Sequence, residues 1–265
     1  MNIPAYSSLL QPRDERRPSR LLMLLEGRSL LELASLPLAL PALMHQVPRG
    51  DGHTVLVLPG LLASDLSTRP LRAFLRGRGY SVHGWGQGLN LGPRAGVFEQ
   101  MRDSLSELFE SSGRKVSVLG WSLGGIYARE IARAAPHQVR QVISLGSPLY
   151  GANEGSSNAW EMYQMVSGRR GVNTRERGDG PPPVPTTSIY TRADGIVGWG
   201  CCVEKAGPLT DNIEIVGASH TGIGVHPLAL YAVGDRLAQH EDRWTQFRPQ
   251  GLARWLFPVT PPTRA

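Results

Sequence analysis

Residues 116–125 read VSVLGWSLGG, and a helical pattern, residues 126–132, follows them directly. Apolar and β-favouring residues that lead into Gly-x-Ser-x-Gly predict a strand, a sharp turn and a helix, with Ser122 at the turn. Such a turn holds its serine in a strained backbone conformation, and Gly120 and Gly124 remove side chains where neighbouring backbone must approach closely. The Ser122 hydroxyl is therefore expected beside a helix N-terminus, where backbone N–H groups favour developing negative charge.

This elbow resembles the one that carries the nucleophile in the α/β-hydrolase superfamily, and most of all in its bacterial lipase and carboxylesterase branch. The resemblance spans roughly residues 50 to 240. It implies a nucleophilic serine, a carboxylate and a histidine in that chain order. No cofactor and no metal are expected, because a serine, a histidine and backbone donors complete the chemistry.

Apolar runs alternate with helical patterns along the chain, which predicts an α/β fold. Besides the elbow, strands are predicted at 54–58, 81–85, 141–145, 186–190 and 212–216, and helices at 67–76, 96–112 and 227–239. The prediction is a three-layer α/β/α sandwich, the α/β-hydrolase fold, with about six mainly parallel strands and a small lid insertion. Residues 1–50 would form an N-terminal helical arm, and residues 51–265 a hydrolase domain with its lid insertion at about 149–185.

Composition sets the broad class of the protein. The 265 residues are 41% hydrophobic and 19% charged, as expected for one globular α/β domain. The net charge is +6, but the arginines are scattered and form no aromatic-plus-basic nucleic-acid motif, so a nucleic-acid partner is not expected. Cys201 and Cys202 are adjacent and are expected to be reduced, partly buried thiols. A cytoplasmic location is therefore predicted over a secreted or membrane-peripheral one.

The N-terminal arm leaves two interpretations open. Residues 21–36 predict a leucine-rich helix whose apolar face is broken by charged residues, and Pro37 and Pro41 are expected to interrupt the chain beyond it. No apolar stretch approaches the about 20 residues of a membrane span. The favoured interpretation is an arm packed over the core or the active-site mouth. The alternative is an interfacial helix that makes peripheral membrane contact, with Arg17 and Arg20 facing lipid headgroups.

The candidate acid and base are chosen by their positions after strands, where open α/β sheets place their sites. Asp194 follows a predicted strand on a short turn, whereas Glu214 lies within a strand and Asp211 precedes one. A plain Asp-Gly turn is the alternative interpretation of Asp194. His220 lies in a small-residue loop between the last strand and the last helix, and His226 is the alternative base.

Two backbone groups are candidates for the oxyanion hole. In the similar family one donor follows a His-Gly pair after the first core strand, and here Pro59-Gly60 stands in that place. The donor is then the N–H of Leu61, with Leu62 as the fallback. The second donor is the N–H of Leu123, directly after the nucleophile.

The insertion after residue 148 contains a short apolar helical stretch, residues 158–166, typical of a mobile lid and acyl pocket. A long surface loop is the alternative. The candidate pocket residues are Leu62, Trp121, Trp160, Tyr163 and Met165, although Trp121 could instead pack under the elbow.

These features predict a serine hydrolase that cleaves a small-molecule or lipid carboxylic ester through an acyl-enzyme on Ser122. An acyltransferase, thioesterase, lysophospholipase or lactonase would use the same three residues. A non-catalytic relative that binds lipid or protein is the alternative from another class, and the oligomeric state is not predicted.

Overall fold

The computed structural model describes residues 16–150, 153–167 and 180–258. The first 15 residues of the predicted arm, and residues 151–152 and 168–179 of the predicted lid insertion, lie outside this part. The described residues form one parallel six-stranded sheet in the order β2-β1-β3-β4-β5-β6. The strands are β1 Thr54–Leu58, β2 Ser81–Gly84, β3 Val116–Trp121, β4 Val139–Leu145, β5 Thr186–Tyr190 and β6 Thr210–Glu214.

Helices cover both faces of the sheet. They are α1 Arg20–Leu24, α2 Ser29–Gln46, α3 Arg69–Gly77, α4 Val97–Ser112, α5 Leu123–Ala134, α6 Trp160–Val166 and α7 Pro227–Leu237. Alternate strand residues point to opposite faces, so Val57 and Leu119 join one core beneath α2, α3 and α7, while Leu56 and Val118 join a second core beneath α4 and α5. The predicted three-layer sandwich is confirmed, and all its strand pairs are parallel.

The strand order places a crevice above the middle of the sheet. Strand β1 lies between β2 and β3, so the chain changes its winding direction there, and Leu58 pairs in register with Gly120. The loops that leave the carboxyl ends of β1 and β3 diverge at this switch point, where α/β sheets bind their ligands. The elbow residue Ser122 therefore stands next to the loop that begins at Pro59.

The prediction that two prolines interrupt the arm is wrong. Helix α2 runs without a break from Ser29 through Pro37 and Pro41 to Gln46. Each proline removes one N–H from the helical ladder. The two prolines are four residues apart on the exposed side of the helix. Leu33, whose carbonyl oxygen loses its N–H partner at Pro37, is exposed as well, so water can bond to that oxygen.

The arm buries its charged side and exposes its apolar side. Residues 21–44 contain three charged residues, Glu26, Arg28 and Glu32, and all three bond to loops of the hydrolase domain. Leucines point outward instead, including Leu24 at 80% and Leu31 at 74% exposure. Among the described residues, no helix is both long and apolar enough to cross a membrane.

Candidate active site

The elbow between β3 and α5 has the strained geometry that its sequence predicts. Ser122 has φ 52° and ψ −119°, a conformation that costs energy for a residue with a side chain. A Cβ atom on Gly120 would overlap the backbone of Gly124, and one on Gly124 would overlap the carbonyl oxygen of Leu58. The two glycines therefore let strand and helix close around the serine, which stays half-exposed at the crevice.

The three residues predicted to form the triad meet at the carboxyl edge of the sheet. Nε2 of His220 lies 3.0 Å from Oγ of Ser122, and Nδ1 of His220 lies 2.7 Å from Oδ2 of Asp194. The second carboxylate oxygen, Oδ1, accepts the N–H groups of Ile196 at 2.8 Å and Val197 at 2.7 Å. With both oxygens bonded and the side chain buried, Asp194 fixes the ring of His220 with its proton on Nδ1 and its acceptor Nε2 toward the serine.

Electrostatics favour the cationic form of the base. Burial alone would lower the pKa of His220, but the carboxylate of Asp194 on Nδ1, assisted by the negative charge of Glu26, holds that pKa above its ordinary value. A base of this kind accepts the serine proton readily because the imidazolium that forms is stabilised in place.

The loop after β1 carries a free backbone donor close to the serine. Within the described part of the chain, the N–H groups of Leu61 and Leu123 have no hydrogen-bond partner. Leu62, the fallback donor, is unsuitable because its N–H donates to the backbone oxygen of Asn90 at 2.7 Å. A Cβ atom on Gly60 would lie 3.2 Å from Cβ of Ser122, so the loop passes close to the nucleophile.

Asn90 anchors this loop and was not singled out in the sequence. Its Nδ2 donates to the carbonyl oxygen of Pro59 at 2.9 Å, and its backbone N–H donates to the carbonyl oxygen of Ala63 at 2.8 Å. Leu62 adopts a left-handed conformation, φ 56°, between these two anchors. A buried asparagine thus fixes the turn that carries the Leu61 donor.

The five predicted pocket residues lie in different surroundings. Trp160 and Tyr163 stack with ring centroids 5.7 Å apart on α6, and Tyr163 packs against the core beneath α5. Leu62 is exposed on the loop after β1, next to the proposed donor residue Leu61. Met165 instead points to solvent at 82% exposure. The Trp121 indole donates to the backbone of His220, so its polar edge serves the histidine loop.

A second Ser-His-Asp arrangement runs from exposed Asp51 to two buried residues. His53 contacts Oδ1 of Asp51 through Nδ1 at 2.5 Å and Oγ of Ser117 through Nε2 at 2.8 Å. His53 and Ser117 are buried, at the start of β1 and β3, the opposite edge of the sheet from Ser122. Burial, the largest influence, lowers the pKa of His53, which favours its neutral form. This arrangement links the starts of β1 and β3, and its serine is buried, unlike Ser122.

Charged residues of the arm also reach the site, and the sequence interpretation did not assign them this role. Glu26 accepts the backbone N–H of His220 at 3.0 Å, and Glu32 accepts that of Ser219 at 2.8 Å. Arg28 donates to the carbonyl oxygens of Ala193 and Ala218. The sequence signal was a helix whose charges interrupt a leucine-rich face.

The described residues contain no group of three or more His, Cys, Asp or Glu side chains that could hold a metal ion. Cys201 and Cys202 form no disulfide and are fully buried rather than partly buried. Burial raises the pKa of the Cys202 thiol, so it is not an activated nucleophile.

Comparison with known proteins agrees with this geometry. No protein-family model matches the sequence. The human serine hydrolase BPHL is 32% identical over 123 residues, which are 43% of this chain and 42% of the human protein. Similar solved structures include Aspergillus fumigatus lipase B (TM-score 0.53, 18% identity, 75% of this chain and 57% of that one). They also include Paleococcus ferrophilus monoacylglycerol lipase (0.52, 17%, 72% and 96%) and a soluble variant of Saccharomyces cerevisiae monoglyceride lipase (0.52, 14%, 72% and 89%).

The chain thus spans less than half of the human relative and somewhat more than half of the fungal lipase. The resemblance to the α/β-hydrolase superfamily is confirmed, and the chain has the α/β-hydrolase fold.

Proposed function

We propose that the protein hydrolyses carboxylic esters through an acyl-enzyme on Ser122. The observation that carries this proposal is the unbroken series of contacts from Ser122 Oγ through both ring nitrogens of His220 to Asp194, with distances of 3.0 Å and 2.7 Å. The strained elbow holds this serine at the mouth of the crevice. Such a series can move one proton from the serine to the imidazole as the serine attacks.

The reaction proceeds in two halves. Ser122 Oγ bonds to the ester carbonyl carbon while Nε2 of His220 takes the hydroxyl proton, and the tetrahedral oxyanion is bound by the N–H groups of Leu61 and Leu123. Collapse breaks the bond to the alcohol oxygen, which receives the proton from His220. In the second half water loses a proton to His220 and attacks the acyl carbon. The bond between that carbon and Ser122 Oγ then breaks, Oγ takes the proton back from His220, and the acid is released.

The proposal is tested by labelling with a fluorophosphonate and by hydrolysis of p-nitrophenyl esters from C2 to C16. We expect labelling at Ser122, and a loss on the order of 10⁴ to 10⁶ in kcat for Ser122→Ala. An unlabelled wild-type protein would instead favour a non-catalytic binding role, and near-normal turnover by Ser122→Ala would exclude Ser122 as the nucleophile.

The same acyl-enzyme could be resolved by an alcohol, a thiol or an amine instead of water. Adding glycerol or a long-chain alcohol to the esterase assay distinguishes the two, because a transferase forms the new ester in preference to the free acid. Thioester and lysophospholipid substrates in the same panel separate the remaining alternatives. We expect the free acid to be the main product, since Ser122 is partly exposed and water can reach it.

We further propose that the substrate is a lipid ester and that the arm contacts a lipid surface. The supporting observation is the arm's outward apolar face over residues 21–44, where the three charged side chains all bond to loops of the hydrolase domain. Arg20 is exposed at the first turn of this face, and the chain carries a net charge of +6. An apolar face with positive charge beside it suits an anionic lipid interface. A cytoplasmic location stays a prediction.

Sedimentation with phosphatidylcholine vesicles, with and without phosphatidylglycerol, tests the lipid contact. Leu24→Glu and Leu31→Glu should reduce binding to the anionic vesicles at least fivefold. Leu209→Glu is the matched control, because Leu209 is an exposed leucine at the opposite edge of the sheet. Equal binding by all four proteins would contradict the proposal. If the wild-type protein does not bind vesicles but forms dimers that Leu31→Glu disrupts, the apolar face contacts a second copy of the chain instead.

A further inference from the structure

Glu26 is a buried carboxylate that receives four hydrogen bonds from the loops carrying the proposed acid and base. Oε1 accepts the N–H groups of Gly195 at 2.8 Å and His220 at 3.0 Å. Oε2 accepts the N–H of Thr221 at 2.9 Å and its hydroxyl at 2.8 Å. The side chain, 8% exposed, lies in the short 3-10 turn Leu25–Arg28 that joins α1 to α2. One carboxylate thus links two loops that are far apart in sequence.

The position of these donors makes the link specific to the site. Gly195 directly follows Asp194, and the second donor is the backbone of His220 itself, so Glu26 bonds on both sides of the acid–base contact. A change in the distance between the loops would break bonds to a single rigid carboxylate. The contact therefore restrains the 2.7 Å separation of Asp194 and His220.

The loops are shaped to receive the arm. A Cβ atom on Gly195 would overlap the carbonyl group of Leu22, and one on Gly222 would overlap the carboxylate of Glu32. Arg28 adds hydrogen bonds to the carbonyl oxygens of Ala193 at 2.5 Å and Ala218 at 2.8 Å. Backbone of this kind approaches another segment so closely only where side chains are absent. The arm is thus a built part of the site.

Glu26 is negatively charged in this position. Burial alone would raise its pKa, but the hydrogen bonds from Thr221, His220 and Gly195 together hold the pKa below its ordinary value. A buried carboxylate persists as an anion only when donors satisfy it in this way. The charged groups that act on His220 are Asp194 and Glu26, and both stabilise the imidazolium.

Resting on the hydrolase activity proposed above, we propose that Glu26 is a positioning residue of the site, a second carboxylate that fixes His220 against Asp194 and stabilises the imidazolium through its charge. It touches neither substrate nor the reacting atoms. Its effect reaches the reaction through the backbone of His220 and through the electrostatic field at the ring. The arm thereby supplies part of the site from a segment that precedes the hydrolase core.

The rate of fluorophosphonate labelling at Ser122, measured from pH 5 to 9, tests this role without a known substrate. Glu26→Gln keeps one carbonyl oxygen but places an amide group against the Thr221 donors and removes the charge. We expect the labelling rate at pH 8 to fall at least tenfold. We also expect the acidic limb of its pH profile to move to lower pH, because the imidazolium loses a stabilising charge.

Two variants serve as controls. Glu107→Gln removes an exposed carboxylate from α4 on the other face of the sheet and should leave rate and profile unchanged. Glu32→Gln weakens the arm through Ser219, the residue before His220, so its acidic limb should move less than that of Glu26→Gln. If Glu26→Gln does not fold, Glu26→Asp replaces it: this variant keeps the charge but shortens the reach, and should lower the rate while keeping the limb.

The outcomes separate the two proposals. A wild-type protein that does not label contradicts the hydrolase function itself. If the wild-type protein is labelled and a folded Glu26→Gln variant reacts within twofold of the wild-type rate, with the acidic limb of its pH profile unmoved, the role of Glu26 alone is overturned. If Glu26→Gln loses labelling rate without a shift of its acidic limb, and Glu32→Gln loses as much, Glu26 would be only a stabilising contact between arm and loops. Wild-type rates for Glu26→Asp would likewise contradict the positioning role.

Discussion

The indole Nε1 of Trp121 donates a hydrogen bond to the backbone carbonyl oxygen of His220 across 3.0 Å. The two residues are 99 positions apart, and Trp121 directly precedes the elbow serine. Nucleophile and base are therefore linked by a contact besides the one between their reacting atoms. The sequence left two roles open for Trp121, a place in the pocket or packing under the elbow. In the structure it orients the histidine loop from β3, the strand that leads to the nucleophile.

Replacing Trp121 with phenylalanine should remove this hydrogen bond while keeping an aromatic ring under the elbow. A hydrogen bond of this type contributes about 1 kcal/mol, so we expect a loss of about fivefold in kcat with little change in KM for a short ester. Steady-state kinetics with p-nitrophenyl acetate measure both constants. A rise in KM with unchanged kcat would show that Trp121 serves substrate binding instead.

The base is identified by comparing two histidines. His220→Ala and Asp194→Asn should each lower kcat by several orders of magnitude, on the order of 10⁴ for the aspartate change. His226→Ala should cost far less, because the His226 side chain caps α7 by accepting the N–H of Leu228. The check is kcat for each purified variant, with circular dichroism to establish folding. A severe loss in His226→Ala alone would move the base to that residue.

The pH dependence is set by the raised pKa of His220. Only the neutral imidazole can accept the serine proton, so activity should be lost as pH falls through that pKa. Because the shift is upward, the acidic limb of kcat/KM should lie above the ordinary histidine value of about 6.5. Measuring kcat/KM from pH 5 to 9 tests this. A limb near pH 5 would show that the carboxylates do not act on the ring.

The Asp51–His53–Ser117 arrangement, in which His53 and Ser117 are buried, should contribute to stability and not to chemistry. Ser117→Ala removes a hydroxyl from His53 and should lower the free energy of unfolding by about 1 kcal/mol. Fluorophosphonate labelling of the variant should proceed at the wild-type rate. Urea denaturation and labelling on one preparation give both quantities. Abolished labelling in a stable Ser117→Ala protein would contradict this assignment.

Asn90 should control the oxyanion loop. Asn90→Ala removes the hydrogen bond to the carbonyl oxygen of Pro59 and frees the turn that carries Leu61. Loss of a well-placed oxyanion donor costs about 3 kcal/mol, so we expect a fall in kcat approaching 100-fold and a smaller change in KM. A folded variant with unchanged kcat would show that the loop keeps its position without this side chain.

Local sequence patterns were sufficient for the sheet and for the residues that meet above it. A buried parallel strand needs a continuous apolar run, and the runs at 54–58 and 186–190 became β1 and β5 with the predicted bounds. Asp194 and His220 were chosen because each follows a strand, and parallel strands deliver their carboxyl ends to one edge. The elbow was readable because a strained serine requires glycines at fixed offsets.

The tertiary structure alone decided how the arm is used. Its pattern of leucines interrupted by charges suggested an apolar face turned inward, yet Glu26 is buried and Leu24 and Leu31 are exposed. The reason is that the donors which satisfy Glu26 come from loops 169 to 195 residues further along the chain. A buried charge is stable only where such partners converge, and no local pattern records that convergence. The same holds for Asn90, whose role depends on a loop that a separate strand places beside it.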